Sequence, residues 1–288
     1  MANLKELRSR ISSVSSTMQI TNAMKMVSAA KLSKAQEAIT ATRPYADKLG
    51  ELLQNLSSSS EGASSPYAEK RTVKNILLIA ISSNRGLAGA FNSNIVKRVN
   101  TLTQEDFRGQ NVKVLALGKK AGDVLRHHQD IVETNTQVFD KLHFNDAAAV
   151  AEKVMDAFVA GTYDQVILVY NRFINAATQQ VMAEPFLPLQ AKPEQSTEPQ
   201  QEIDYIFSPD KDYIIQELIP KSLKIQLFKA LRDSVAAEHG ARMTAMHKAT
   251  DNATELKAEL TLHYNKARQA AITNEILEIV GGAEALNN

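Results

Sequence analysis

The chain has no cysteine and no tryptophan, and only 6% of its 288 residues are aromatic. The missing cysteines exclude disulfides, thiolate metal sites and cysteine nucleophiles. The shortage of large rings disfavours a bulky β core and suits alanine-rich helix packing. No apolar run reaches the ~18 residues expected of a membrane-spanning helix. The N-terminus lacks the continuous apolar core of a secretory signal. Charge of one sign is missing too: 33 Lys and Arg face 32 Asp and Glu, for a net +1. No general field for nucleic acid or acidic lipid is therefore built in. The six histidines (His127, His128, His143, His239, His247, His263) do not pair with a second His and a carboxylate at metal-ligand spacing. There is no nucleophile elbow, triad signature or catalytic carboxylate pair. Catalytic, cofactor and metal residues are accordingly expected to be none.

What is present is periodicity. Counted in sevens from Leu4, one seam position reads Leu4, Ile11, Met18, Lys25, Leu32, Ile39, Ala46 and Leu53. The other reads Leu7, Val14, Thr21, Ser28, Ala35, Thr42, Leu49 and Leu56. Twelve of these sixteen are apolar, in alternating steps of three and four that keep a narrow stripe facing a partner helix. No glycine precedes Gly50, and Pro44 is the one proline in the stretch. A helix of about 55 residues is roughly 80 Å long, far beyond the ~11–12 residues of an average helix. It reads as an arm or shaft. Six basic residues and one acid among the first 34 imitate a transit peptide, but the heptad frame runs through them unbroken, which marks mature structure. Residues 1–57 carry a net +4; an acidic partner and a solvated face both fit.

The texture changes after the polar stretch Ser57–Pro66, a linker. Asn75–Ile81, Val112–Leu117 and Gln165–Tyr170 read as buried strands, with Gln179–Ala183 and Asp204–Phe207 as further candidates. Phe91–Gln104, Lys119–His128 and Ala147–Ala160 read as helices. Strands alternating with helices predict a mostly parallel, Rossmann-like α/β domain covered on both faces. Helical spacing then returns. Pro209 suits a helix entry, and Pro220 is expected to kink or split the helix. A second stripe reads Met246, Ala249, Ala253, Leu256, Leu260, His263, Ala267 and Ala270, placing His263, like His239, near a seam. Gly281 and Gly282 are expected to close the helix. The organisation is thus an N-terminal helix over 1–57, an α/β domain with its linkers over 58–209, and a C-terminal helix over 210–288. The two stripes bury each other as an antiparallel coiled coil, and the longer C-terminal helix projects beyond Met1.

Three stretches stand apart from this pattern. Ser82–Asn92 (SSNRGLAGAFN) joins a strand to a helix and holds Gly86 and Gly89. It could present amides to a phosphate, or be a tight turn, since it lacks the dinucleotide and P-loop spacings. Ile20–Val27 is polar or small on its seam (Thr21, Lys25) and apolar off it (Ile20, Met24, Val27), as in a helix touching something besides its partner. Ile272–Leu286 carries a similar surplus of exposed apolar residues.

Several segments together resemble the gamma-subunit family of F-type, proton-translocating ATP synthases, bacterial type. They are LRSRI (Leu7–Ile11), TMQITNAMKMVSAAKL (Thr17–Leu32), SSNRGLAGAFN, YNRFINAATQ (Tyr170–Gln179), EHGARMTAMHKATDNATEL (Glu238–Leu256) and YNKARQAAITNEILEIVGGAEAL (Tyr264–Leu286). The last meets the family pattern I-T-x-E-x-x-E-x-x-x-G-A through Ile272, Thr273, Glu275, Glu278, Gly282 and Ala283. The match spans the chain in order and is less distinctive from Thr103 to Asp164. The family's loop usually reads S-D-R-G-L-C-G; Asn84 and Ala88 replace the acid and the cysteine. The cysteine-bearing insertion of chloroplast relatives is absent, so thiol switching is not expected. A match beginning almost at Met1 suggests a bacterial protein.

The resemblance implies a non-catalytic rotor at the cytoplasmic face of the bacterial inner membrane, held there only through the c-ring. Its coiled coil would stand inside three alpha and three beta subunits. Its α/β domain would sit with epsilon on the c-subunit ring. By family position, Met24, Lys25 and Met26 would face a moving acidic part of beta. Arg268, Gln269, Thr273 and Glu275 would engage a beta loop, Arg268 as a charge-assisted donor. Val280, Gly281, Gly282 and Ala283 would form a slipping bearing tip. Arg43, Tyr45 and Tyr205 would lie near the ring and epsilon. No cofactor and no nucleic acid is implied. The residues alone leave open a coiled-coil scaffold whose α/β domain binds phosphate or a nucleotide through the Gly86–Gly89 loop, and intra-coil hydrogen bonding by Arg268 and Gln269.

Overall fold

The computed structural model describes residues 4–58, 66–69, 71–140, 142–189 and 211–287. Two long helices, α1 (Leu4–Ser58) and α5 (Lys211–Asn287), bracket five strands and three shorter helices: β1 (Asn75–Ile81), α2 (Phe91–Thr101), β2 (Asn111–Leu117), α3 (Lys119–Leu125), β3 (Asp130–Asn135), α4 (Phe144–Val159), β4 (Gln165–Phe173) and β5 (Gln179–Leu187). The chain forms two compact units, Met1–Ala29 with Arg242–Asn288, and Ala30–Ala241.

The larger unit is built on a mixed sheet of order β3-β2-β1-β4-β5. The first four strands run parallel and β5 returns antiparallel to β4. β1 is central and buried on both faces, which explains its unbroken apolar run. Its residues alternate between two cores. Leu77, Ile79 and Ile81 enter one with α4 and the Ile219–Leu231 stretch of α5, and Ile76, Leu78 and Ala80 enter the other with α2 and α3. α4 qualifies because Ala147, Ala151, Val154, Met155 and Phe158 recur at helical spacing and are all buried. Asp164 pins the sheet's lower edge: its carboxylate accepts from the amides of Lys74 and Asn75 at 2.9 and 2.8 Å. These donors hold the carboxyl below the usual carboxylate range.

The structure departs from the expected elements at several points. β3 was missed because DIVETN is polar and only half-buried, as an edge strand is. Its edge is blunted where Ile131 pairs with Val114 and Glu133 with Leu115, leaving Val132 bulged out and 53% exposed. The Gln179–Ala183 strand extends to Leu187. Of the two outcomes expected at Pro220, the split does not occur: helix α5 runs through it. Ile219 and Leu223 beside it are buried in the core, and side chains worth about 1.5–3 kcal/mol each on burial outweigh the ~3 kcal/mol proline penalty. Gly281 and Gly282 do not close the helix, which runs to Asn287; good helix formers resume at Glu284 and Ala285. The two inner helices are also shorter than expected, and α2 passes into a single π-helical stretch at Leu102–Asp106. The candidate strand Asp204–Phe207, Pro209 and Tyr205 lie outside the described residues.

Candidate functional site

The smaller unit is a two-helix antiparallel coil. On α1 the expected seam residues Leu4, Leu7, Ile11, Val14, Met18, Thr21, Lys25 and Ser28 are all buried or half-buried. On α5 the frame differs from the sequence reading. Leu256, His263 and Ala270 are exposed, while Met246, Thr250, Ala253, Lys257, Leu260, Tyr264, Ala267 and Ala271 turn inward. Lys257 takes the inward place expected of Leu256, because lysine covers the seam with its aliphatic stem and keeps its ammonium wet. His263 pairs instead with exposed Glu259 on its own helix, at 3.9 Å.

Three polar contacts cross this coil and fix its register. The Thr250 hydroxyl donates to Thr21 Oγ1 at 2.8 Å, Thr254 Oγ1 reaches Met18 Sδ at 3.4 Å, and Lys257 Nζ donates to Ser15 Oγ at 3.2 Å. Each step toward the start of α1 is matched by a step toward the end of α5. Continuing that stepping brings Leu4 level with Arg268, so α1 runs out where α5 still has about five turns left.

Beyond that point α5 is bare. Every residue from Ile272 to Ala283 is exposed, including Ile276 (54%), Leu277 (63%) and Ile279 (72%). Arg268, Gln269, Thr273 and Glu275 are all exposed. The Thr273 hydroxyl donates back to the Gln269 carbonyl at 2.9 Å. Neither Arg268 nor Gln269 makes a side-chain hydrogen bond among the described residues, so the intra-coil alternative is not what is found. Val280, Gly281, Gly282 and Ala283 are exposed, and both glycines face open space. A second apolar surface lies further along the coil. Ile20, Met26 and Val27 are each 57–60% exposed, while Met24 and Lys25 are half-buried. Lys25, Met26 and Ala29 line a shallow groove with Met243, Thr244 and His247.

In the larger unit, Tyr45 is 51% exposed. Arg43 is not free: its Nη2 pairs with Asp233 Oδ1 at 3.3 Å. Asp233 is buried and escaped the sequence reading. Its signal was present as an acid followed by the small and apolar residues Ser234–Ala237. The Tyr170 hydroxyl donates to Glu184 at 2.9 Å, and Gln226 Nε2 donates to the same carboxylate at 3.0 Å. Burial and the Glu184 charge push the Tyr170 phenol well above its usual range.

The Ser82–Asn92 loop is closed on itself. Asn92 Oδ1 accepts from the Ser83 amide, and the Ser83 hydroxyl donates to the Arg85 carbonyl. Asn84, in the position where the resembling family usually has an acid, bridges strand ends: its Nδ2 donates to Thr136 O at 2.8 Å, and its Oδ1 accepts from the Lys119 amide at 3.1 Å. An aspartate could perform only the second. Gly118, at φ +104, lies so close that a Cβ there would collide with the Ser82 carbonyl. The loop is thus braced as a tight turn by its own side chains. Among the described residues no cluster of three His, Cys, Asp or Glu could hold a metal ion, and no helix is long and apolar enough to cross a membrane.

These features meet clear counterparts among known proteins. A family profile described as ATP synthase matches residues 3–286. The ATP synthase gamma chain of Christiangramia forsetii is 62% identical over 288 residues, covering all of both chains. That of Flavobacterium psychrophilum is 60% identical over 287 residues, covering 99% of each. Among solved structures, the central stalk and c-ring of the Tetrahymena thermophila mitochondrial ATP synthase contains a chain 26% identical, with TM-score 0.58, covering 80% of this chain and 99% of that one. The rotor of the Euglena gracilis enzyme matches in fold with TM-score 0.68 at 21% identity, over 93% and 98% of the two chains. The chain belongs to the ATP synthase gamma chain family.

Proposed function

We infer that this chain is the central-stalk rotor subunit of an F-type ATP synthase and carries torque between the membrane ring and the catalytic subunits without doing chemistry itself. The observation that carries this reading is the end of α5, where an antiparallel coil gives way to a single helix whose apolar residues face water. Exposed Ile276, Leu277 and Ile279 contribute nothing to folding; they suit a sleeve of other subunits, three alpha and three beta. At such a tip Val280, Gly281, Gly282 and Ala283 offer small groups without directional bonds, so contacts can slip. Driving contacts need directional groups, and Arg268, Gln269, Thr273 and Glu275 supply them beside the tip, engaging a beta loop. Met24, Lys25 and Met26, together with exposed Ile20 and Val27, form the second surface toward beta. Tyr45, with Arg43, belongs to the side facing epsilon and the c-ring. In this reading the chain meets the membrane through that ring, at the cytoplasmic face of the bacterial inner membrane.

Co-purification with a tagged beta subunit tests this reading. Mass spectrometry is expected to find three alpha, three beta and one copy of this chain. Recovery without alpha and beta would contradict it. Calorimetry of the isolated chain with ATP, ADP and phosphate is expected to show no tight binding, in keeping with the closed Ser82–Asn92 loop.

A further inference from the structure

We propose that Asp233 is the node that ties the two long helices to each other within the Ala30–Ala241 unit and fixes their register, so that a twist applied to that unit enters both helices together. The inference rests on the rotor reading for its consequence, but not for its geometry. Asp233 is only 2% exposed. It accepts from Arg43 on α1 at 3.3 Å, and favourable charge also reaches it from Lys229 on α5 and Arg172 on β4. One buried carboxylate on α5 is therefore held by a cation of α1.

The surroundings explain why such a node is useful. Near Arg43 the seam of α1 mixes the small residues Ala35, Thr42 and Ala46 with the buried apolar Ile39 and Leu49. Pro44 removes one backbone donor from that turn, leaving the Thr40 carbonyl without its helical partner. On α5 the buried residues that follow Asp233 are small: Ser234, Ala236 and Ala237. Contacts between apolar groups carry little directional preference. An ion pair carries more. Stability does not account for the pair. Burial holds the Asp233 carboxyl above the usual carboxylate range despite the opposing pull of Arg43. A pair whose desolvation outweighs its attraction is better explained by registry than by stability.

The test uses Asp233→Asn, which keeps shape and removes charge, and the double variant Arg43→Met with Asp233→Leu, which replaces the pair with apolar packing. Both are measured as the full chain and in the assembled complex with alpha and beta. The thermal midpoint at neutral pH is expected to equal or exceed that of the unaltered chain. Amide exchange over residues 36–46 is expected to rise, and the stall torque of ATP-driven rotation to fall. Unchanged exchange together with unchanged torque in either folded variant overturns the proposal. If the unaltered chain neither assembles nor rotates, it is the rotor reading that fails, and the exchange result then decides the node by itself.

Discussion

Helix α5 is apolar in two places, and water treats them oppositely. Along Ile219–Leu231 it carries Ile219, Leu223, Ile225, Leu227, Phe228 and Leu231, all buried. Along Ile272–Val280 it carries Ile272, Ile276, Leu277, Ile279 and Val280, all 46% exposed or more. The residue types are nearly the same. All of the first set but Ile225 closes the core beneath the sheet; the second joins no core cluster among the described residues. Apolar side chains that folding does not use are kept for another surface, and that contrast separates what holds this protein together from what it does.

The comparison breaks most sharply by truncation. Leu227→Ala is expected to cost about 2–5 kcal/mol in denaturant unfolding, as a fully buried leucine should. Ile276→Ala is expected to stay within about 0.5 kcal/mol of the unaltered chain. Equal losses would mean that the tip is packed after all. Next in size is Gly118→Ala, expected to cost more than about 1 kcal/mol because the added Cβ meets the Ser82 carbonyl at a positive φ. A smaller effect is expected for Thr250→Val, which removes the hydroxyl bond to Thr21 across the coil; a loss of about 0.5–1.5 kcal/mol fits. No loss would show that the small-residue seam alone sets the register.

Acid gives the gentlest probe. The folded-state pKa of Asp164 lies below its unfolded value, so its contribution is present above the usual carboxylate pKa and is lost as pH falls through the folded value. Melting curves below about pH 4 are expected to flatten in Asp164→Asn. An unchanged acid limb would remove the two amide bonds from the explanation.

Much of the fold was legible because its periods are clean. Asn75–Ile81 is apolar enough to be central on any reading, and the α1 heptads survive Thr21, Lys25 and Ser28 because small or long-stemmed polar residues fit a seam. The α5 frame was not legible to the same degree. Leu256 and Lys257 compete for one position, and only the partner helix decides between hydrophobicity and stem length. β3 hid because an edge strand needs little apolar surface. The exposed tip was visible as surplus apolarity, but its exposure depends on where α1 ends, a fact of pairing rather than of local sequence. Asp233 was invisible as a partner of Arg43 because 190 residues separate them.

The most direct measurement is rotation. The chain has no cysteine, so Arg108→Cys, at an exposed position of the α/β unit, provides one thiol for a bead in the complex with alpha and beta. With Arg268→Ala added, ATP-driven torque is expected to fall while the melting temperature of the chain stays put. Full torque in that variant, or a melting loss matching the torque loss, would contradict a free helix end that works against its surroundings.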